Sequence, residues 1–357
     1  MIEDSSTKRK NKLMLIAGPC AVETPEQTYE MAYKVSLVRD ALQPLGIEVG
    51  YRGGAWKPRT QYHNTNGDKV FEGTREQGLH WLSEVAEKYD LPIVTECMSE
   101  HDIRHFEREL EPDRDFIQIG ARNSQNFALL YTIGGTPFNV LLKSPQHGVD
   151  VKEAVGSLQR LKRNKIIAYC VRGQKRFIYP DSEEDEIFSE YMKELMQSPG
   201  QNPEARNLNN IGSIINLRQN SYIRDNGIML CYDPSHTLGG KNDELRRMIG
   251  EQAIRAVKEF GYEMLEIEAN DHGSYAKVDG AQALLISKKN VDWTETNYGQ
   301  ESNLIPGQGK EPEVTPITIV DIASEMADFQ AEKLELDYET LRECKNKLDA
   351  ITWNMIP

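Results

Sequence analysis

The chain has 357 residues, enough for one large domain or two small ones. Hydrophobic residues make up 39%, enough to build a core. A net charge of −14 argues against nonspecific binding to nucleic acid or to an anionic membrane, because both repel such a surface, though a small anionic substrate responds to local charge instead. No apolar run approaches the roughly 20 residues needed to span a bilayer. The opening MIEDSSTKRKNK has no apolar h-region behind it, so a cytoplasmic protein is expected. Cys20, Cys97, Cys170, Cys231 and Cys344 are odd in number and widely spaced, which speaks against a disulfide framework.

In chain order, eight short apolar runs recur, at 13–17, 47–51, 92–97, 116–119, 139–142, 165–171, 227–232 and 263–267. Helical patterns lie between them, at 25–42, 75–88, 124–131, 152–161, 210–218 and 242–259. Alternation of this kind predicts parallel strands with crossover helices, and eight units predict an α/β fold closed into a (β/α)₈ TIM barrel. Such a barrel takes about 250 residues. The division expected is an N-terminal tail at 1–12, a catalytic barrel at 13–289 with an excursion at 180–205, and a linker with a C-terminal helical extension at 290–357. The extension is expected to pack on the barrel or on another subunit.

Polar and charged residues cluster just after each apolar run. These positions fall at the C-terminal face of a (β/α)₈ barrel, where such folds keep their chemistry. Two groups stand out. The first is a set of cations, Arg52, Lys57, Arg59, Arg122, Lys143 and Arg172. Any one of them is explained by a local ion pair, but six converging on one mouth require anions, and phosphates and carboxylates suit Arg and Lys. The second comprises the metal-competent Cys20, His236, Glu268 and Asp279. A mixed sulfur, nitrogen and oxygen set suits Zn²⁺, Fe²⁺, Mn²⁺ or Co²⁺ better than Mg²⁺ or Ca²⁺. Their spacing carries no metal signature. On spacing alone Cys20 reads as core, His236 as a turn histidine and Asp279 as a helix N-cap.

The segments GPCAVET, RGGAWKPRT, FEGTREQGL, LPIVTECM, IQIGARNSQNF, VLLK, CVRG, RNLNN, DPSHTLGG, IEAND and VDGAQAL occur in this order over roughly 13–288. With them the chain resembles the 3-deoxy-D-arabino-heptulosonate 7-phosphate (DAHP) synthases, in the branch similar to 3-deoxy-D-manno-octulosonate 8-phosphate (KDO8P) synthases. The resemblance implies a transferase of the shikimate pathway. It would condense phosphoenolpyruvate with a phosphorylated aldose, D-erythrose 4-phosphate by preference, and release phosphate.

It also implies that Cys20, His236, Glu268 and Asp279 bind a divalent metal. Arg52, Lys57, Arg122, Lys143 and Arg172 would hold phosphoenolpyruvate, and Arg59 and Thr60 the aldose phosphate. Lys57 is the candidate proton donor, with cationic neighbours expected to lower its pKa. Glu96, Asp233 and His236 are candidates for handling the attacking water. A homodimer or homotetramer is expected.

This chain departs from the family pattern at Gln61-Tyr62, where Ser-Pro is usual, and at Ser144-Pro145-Gln146-His147 after Lys143. Val171 replaces an acid before Arg172. The first two changes lie over the aldose end and keep arabinose 5-phosphate open as the acceptor. A non-catalytic barrel that binds or regulates is the alternative of another class.

Overall fold

The computed structural model describes residues 13–58, 63, 69–148, 150–174, 207, 209–237, 243–271, 283–287, 317–352 and 355. Eight parallel strands close into one barrel in sequence order. They are β1 (Met14–Gly18), β2 (Glu48–Arg52), β3 (Ile93–Glu96), β4 (Phe116–Ile119), β5 (Asn139–Lys143), β6 (Ile167–Arg172), β7 (Met229–Asp233) and β8 (Met264–Glu268). Closure is direct, with Met14 of β1 in register with both Glu48 of β2 and Met264 of β8.

The helices are α1 (Pro25–Leu42), α2 (Glu76–Tyr89), α3 (Ile103–Glu109), α4 (Phe127–Ile133), α5 (Val151–Leu158), α6 (Ile214–Gln219), α7 (Ser221–Asp225), α8 (Asp243–Lys258), α9 (Ile319–Leu334) and α10 (Tyr338–Asp349). Helix α1 starts where Thr24 accepts a hydrogen bond from the Gln27 amide and Pro25 takes the first turn. Helix α9 starts with a reciprocal capping box between Thr318 and Asp321. The charged α3, which no apolar pattern marks in the sequence, is held by burial of Ile103 and Phe106. Helix α9 packs against α8 and α1, the place in the ring that follows β8, and α10 packs on α9 and α1.

Alternation along the strands sorts their side chains into two layers. Outward residues such as Val49, Tyr51, Ile117, Leu142, Val171, Tyr232 and Ile267 join the helices in the main core. Inward residues at the lower end form a separate apolar plug of Met14, Ile16, Val94, Phe116, Leu141, Ala168, Cys170, Cys231 and Met264. Above the plug the inward positions turn polar, with Arg52, Glu96, Gln118, Lys143, Arg172, Asp233, Glu266 and Glu268 all buried. The site therefore rests on a packed apolar floor at the C-terminal end of the strands.

A buried ion pair outside the barrel fixes the chain after β8. Lys34 of α1 is fully buried, and its Nζ lies 2.7 Å from Asp271 Oδ2 and 2.9 Å from Glu30 Oε1. The other Asp271 oxygen accepts the Ile286 amide at 2.9 Å. Removing one partner of a buried pair leaves a charge without compensation, at a cost of about 3–5 kcal/mol. Lys34→Met is therefore predicted to lower stability by about that amount in urea unfolding followed by circular dichroism; a loss under about 1 kcal/mol would contradict the role given to the pair.

Candidate active site

The mouth is built from strand ends and the turns behind them. Backbone bonds lock these turns to each other: the Val22 amide donates to Gly54 O at 3.2 Å, and the Gly53 amide to Val94 O at 3.1 Å. Trp56 packs its ring at 5.4 Å from Phe106, which anchors the segment that carries Lys57. Two glycines make room for charged groups. A Cβ at Gly120 would lie 1.8 Å from Glu96 Oε1, and one at Gly54 would lie 2.6 Å from Lys57 Cδ. Neither position accepts a larger residue without moving the Lys57–Glu96 pair, whose charged atoms are 3.7 Å apart.

Asp233, at the end of β7, is a hub. Its Oδ2 lies 2.7 Å from Lys143 Nζ and 2.7 Å from His236 Nδ1. Its Oδ1 accepts the His236 amide at 2.9 Å. Burial alone would raise the Asp233 pKa, but His236, Lys143 and Arg172 outweigh it and hold the carboxyl well below its usual range. Lys143 Nζ also lies 3.0 Å from Glu266 Oε2. Burial works against the charged amine, yet Asp233 and Glu266 together keep the Lys143 pKa above its ordinary value. Arg52 spans the two acids of β8, with Nε 3.4 Å from Glu266 Oε1 and Nη2 3.3 Å from Glu268 Oε1. Its buried Nη1 makes no hydrogen bond among the described residues.

The metal-competent residues are partly assembled within this frame. His236 Nε2 lies 3.4 Å from Glu268 Oε1. An ion with bonds of about 2.1 Å holds its tetrahedral ligands about 3.4 Å apart, so this spacing fits coordination. Nδ1 stands 2.7 Å from Asp233 Oδ2, which leaves the other ring nitrogen facing Glu268. Cys20 is buried within electrostatic reach of both Arg52 and Lys57. Asp279 lies outside the described residues. The structure thus brings an imidazole and a carboxylate to coordination spacing, with the Cys20 thiol buried within electrostatic reach of Arg52, the partner of Glu268.

Cys170, Asp233 and Glu266 form another ligand-competent group, with atoms within 4.8 Å of one another. Lys143 Nζ already stands against both of its carboxylates. Burial, and then a hydrogen bond with Cys231, pushes the Cys170 thiol well up, so it stays protonated and donates to Glu266 Oε2 at 3.6 Å. Metal binding needs a thiolate, and the cation this group holds is the lysine.

Of the residues singled out in the sequence, the structure gathers Cys20, Arg52, Lys57, Glu96, Lys143, Arg172, Asp233, His236 and Glu268 in one cluster, buried except for the partly exposed Lys57 and His236. Arg122 is exposed in the turn after β4, at the rim. Arg59 and Thr60 lie outside the described residues, as does the excursion at 180–205. One expectation is corrected. Burial, joined by Arg52, would lower the Lys57 pKa, but negative charge on Cys20 and Glu96 outweighs both and raises it. Sequence reading missed Glu266, although Glu266 and Glu268 two residues apart on a strand must face the same side. It also missed Ser144, whose Oγ accepts the Arg172 amide at 3.1 Å, and Ser235, whose Oγ accepts the Glu268 amide at 3.0 Å.

Among the described residues no helix is long and apolar enough to cross a membrane. The phospho-2-dehydro-3-deoxyheptonate aldolase of Thermotoga maritima is 31% identical over 272 residues, covering 76% of this chain and 64% of that protein. The 2-dehydro-3-deoxyphosphooctonate aldolase of Fusobacterium nucleatum is 28% identical over 46% of this chain and 55% of its own length. The chain thus spans less than two thirds of these curated relatives. The crystal structure of the Thermotoga maritima DAHP synthase superposes with a TM-score of 0.55 at 28% identity, over 77% of this chain and 65% of that one. A truncated form of a Thermotoga maritima DAHP synthase gives 0.54 at 26% identity, over 77% and 81%. The model of the DAHP synthetase I family matches residues 3–301, which takes in all eight strands and every charged group of the mouth, and the chain belongs to that family.

Proposed function

We propose that this protein joins phosphoenolpyruvate to a phosphorylated aldose, with D-erythrose 4-phosphate as the first-choice acceptor, yielding DAHP and phosphate. The observation that carries this reading is the layer of cations, the buried Arg52, Lys143 and Arg172 and the partly exposed Lys57, set beside Cys20, His236 and Glu268 on an apolar floor. Asp233, Glu96, Glu266 and Glu268 balance these cations, and the buried Arg52 Nη1, which makes no hydrogen bond among the described residues, is the donor left for a substrate phosphate or carboxylate. The setting proposed is cytoplasmic, in aromatic amino acid biosynthesis, and the protein is proposed to work as a homo-oligomer.

Cys20, His236, Glu268 and Asp279 would hold a divalent metal, Mn²⁺, Fe²⁺, Co²⁺ or Zn²⁺. When bound, such an ion supplies Lewis acidity toward an aldehyde oxygen. Arg52, through Nη1, and Lys143 and Arg172 hold the phosphate and carboxylate of phosphoenolpyruvate, with Arg122 at the rim. Arg59 and Thr60 take the aldose phosphate. Carbon 3 of phosphoenolpyruvate attacks the aldehyde carbon, and Lys57, kept protonated by Cys20 and Glu96, gives its proton to the oxygen that becomes the new hydroxyl. Water adds at carbon 2, and phosphate leaves from the resulting hemiketal. Asp233 is committed to His236 and Lys143, so Glu96 is the carboxylate that takes the water's proton.

The acceptor is the finer part of this proposal. Relatives named for an octulosonate product, and the changes at Gln61-Tyr62 and 144–147, favour arabinose 5-phosphate as the second candidate. Mass spectrometry of products from phosphoenolpyruvate and a panel of aldose phosphates is expected to give a seven-carbon 2-keto acid phosphate. An eight-carbon product would transfer the assignment to the sister reaction, and no condensation with any aldose would sink the proposal. EDTA is expected to abolish turnover and Mn²⁺ or Zn²⁺ to restore it, while Cys20→Ala loses at least about 100-fold in kcat, the scale of a lost Lewis acid. Full activity of Cys20→Ala in EDTA would remove the metal from the proposal. Gly120→Ala, which pushes Glu96 away from Lys57, is expected to lower kcat about 10²-fold with an unchanged melting temperature; unchanged kcat would rule out Glu96.

A further inference from the structure

Glu266 is an unusual residue for the inside of a barrel. It has no solvent exposure and sits at the boundary of the apolar plug, next to Cys170. A lone carboxylate there would cost several kcal/mol in lost hydration, so its partners must be fixed closely to retain it. Those partners come from strands that do not neighbour one another. Arg52 belongs to β2, Lys143 to β5 and Glu266 to β8, each pair being separated by at least one strand in the closed order. Glu266 is thus a tie across the barrel interior, placed below the charged rim.

The tie sets where the two cations can point. Lys143 has three N–H donors; one faces Asp233 at 2.7 Å and one faces Glu266 at 3.0 Å. Two acceptors from β7 and β8 fix the direction of the third. Arg52 sets its Nε 3.4 Å from Glu266 Oε1 and its Nη2 3.3 Å from Glu268 Oε1, ion-pair contacts that draw one edge of the guanidinium toward the two acids, while Nη1 makes no hydrogen bond among the described residues. A planar fork held along one edge presents the opposite edge in a single orientation.

We infer that Glu266 is a positioning residue, which aims the free N–H groups of Arg52 and Lys143 at one bound anion of phosphoenolpyruvate. The inference rests on the reaction proposed above for the identity of that anion. Glu266 touches neither substrate nor reacting atoms; it acts through the two cations, so its loss weakens one substrate selectively. Gln at this position keeps the shape, but its amide nitrogen turns a donor toward cations that have only donors to offer.

The test is calorimetric titration of phosphoenolpyruvate into the full-length protein and into Glu266→Gln, run beside steady-state kinetics and thermal melting. The expected result is a rise of at least ten-fold in Kd and KM for phosphoenolpyruvate. At saturating phosphoenolpyruvate, the KM for the aldose phosphate stays within two-fold of the wild type. A folded Glu266→Gln that binds phosphoenolpyruvate as the wild type does overturns the inference. So does an equal rise in both KM values, which marks general loosening. If Glu266→Gln does not fold, Glu266→Met, of similar volume and without a misplaced donor, carries the same expectations, and failure of both to fold makes Glu266 a structural pillar and overturns the inference. Wild type that binds phosphoenolpyruvate but joins it to no aldose ends the proposed reaction and leaves Glu266 to be judged on Kd alone. Wild type that binds none overturns both.

Discussion

The structure depends on a buried network of opposite charges across the mouth of the barrel. Asp233 binds Lys143 and His236, His236 faces Glu268, Glu268 and Glu266 share Arg52, and Glu266 returns to Lys143. Every side chain in this ring is largely withdrawn from water. No single pair supplies much net stability in such a place, because desolvation consumes most of the Coulomb gain. What the ring provides is orientation. Each member of the ring meets two others, so none can turn without breaking a contact elsewhere. The cost of assembling it falls on folding, before any substrate arrives, which is how a preorganised electrostatic site is made.

The barrel itself was legible because its two periodicities are strong. The apolar runs at 116–119 and 139–142 became β4 and β5 with the same first residues, and the stretch at 25–42 became α1. Thr24 and Pro25 mark that helix start in the letters alone. Helix α3 was not legible, because IRHFERE is mostly charged and only Ile103 and Phe106 carry it inward. The place of α9 was not legible either. A long stretch of chain separates it from β8, and only its packing on α8 and α1 reveals that it follows β8 around the ring.

The site was legible to the extent that its residues sit at strand ends. Arg52, Glu96, Lys143, Arg172, Asp233 and Glu268 are each at or one step from the end of a strand, so topology alone brings them together. The sign of the Lys57 shift was not legible, because counting nearby cations ignores the acids that a fold interleaves with them. Cys20 and Glu96 reach Lys57 from β1 and β3 neighbours, and their charge exceeds the effect of Arg52 and of burial. Glu266 escaped attention for a related reason. It lies one inward step below the rim, inside a run that reads as strand filler until its alternation with Glu268 is taken seriously.

The same layering explains why relatives named for two different sugar acids resemble this chain. The groups on strands and strand ends, Arg52, Lys143, Arg172, Asp233 and Glu268, are fixed by the barrel register and by one another. Changing any one of them leaves a buried partner without compensation, so this half of the mouth tolerates little variation. Residues farther along a connection, such as Gln146-His147 after β5, lie beyond the strand register. A change of acceptor can therefore accumulate in the connections while the buried ring stays fixed. Under the reaction proposed above, the ring would serve the phosphoenolpyruvate half and the connections the acceptor. The departures in this chain fall where only the second of these is decided.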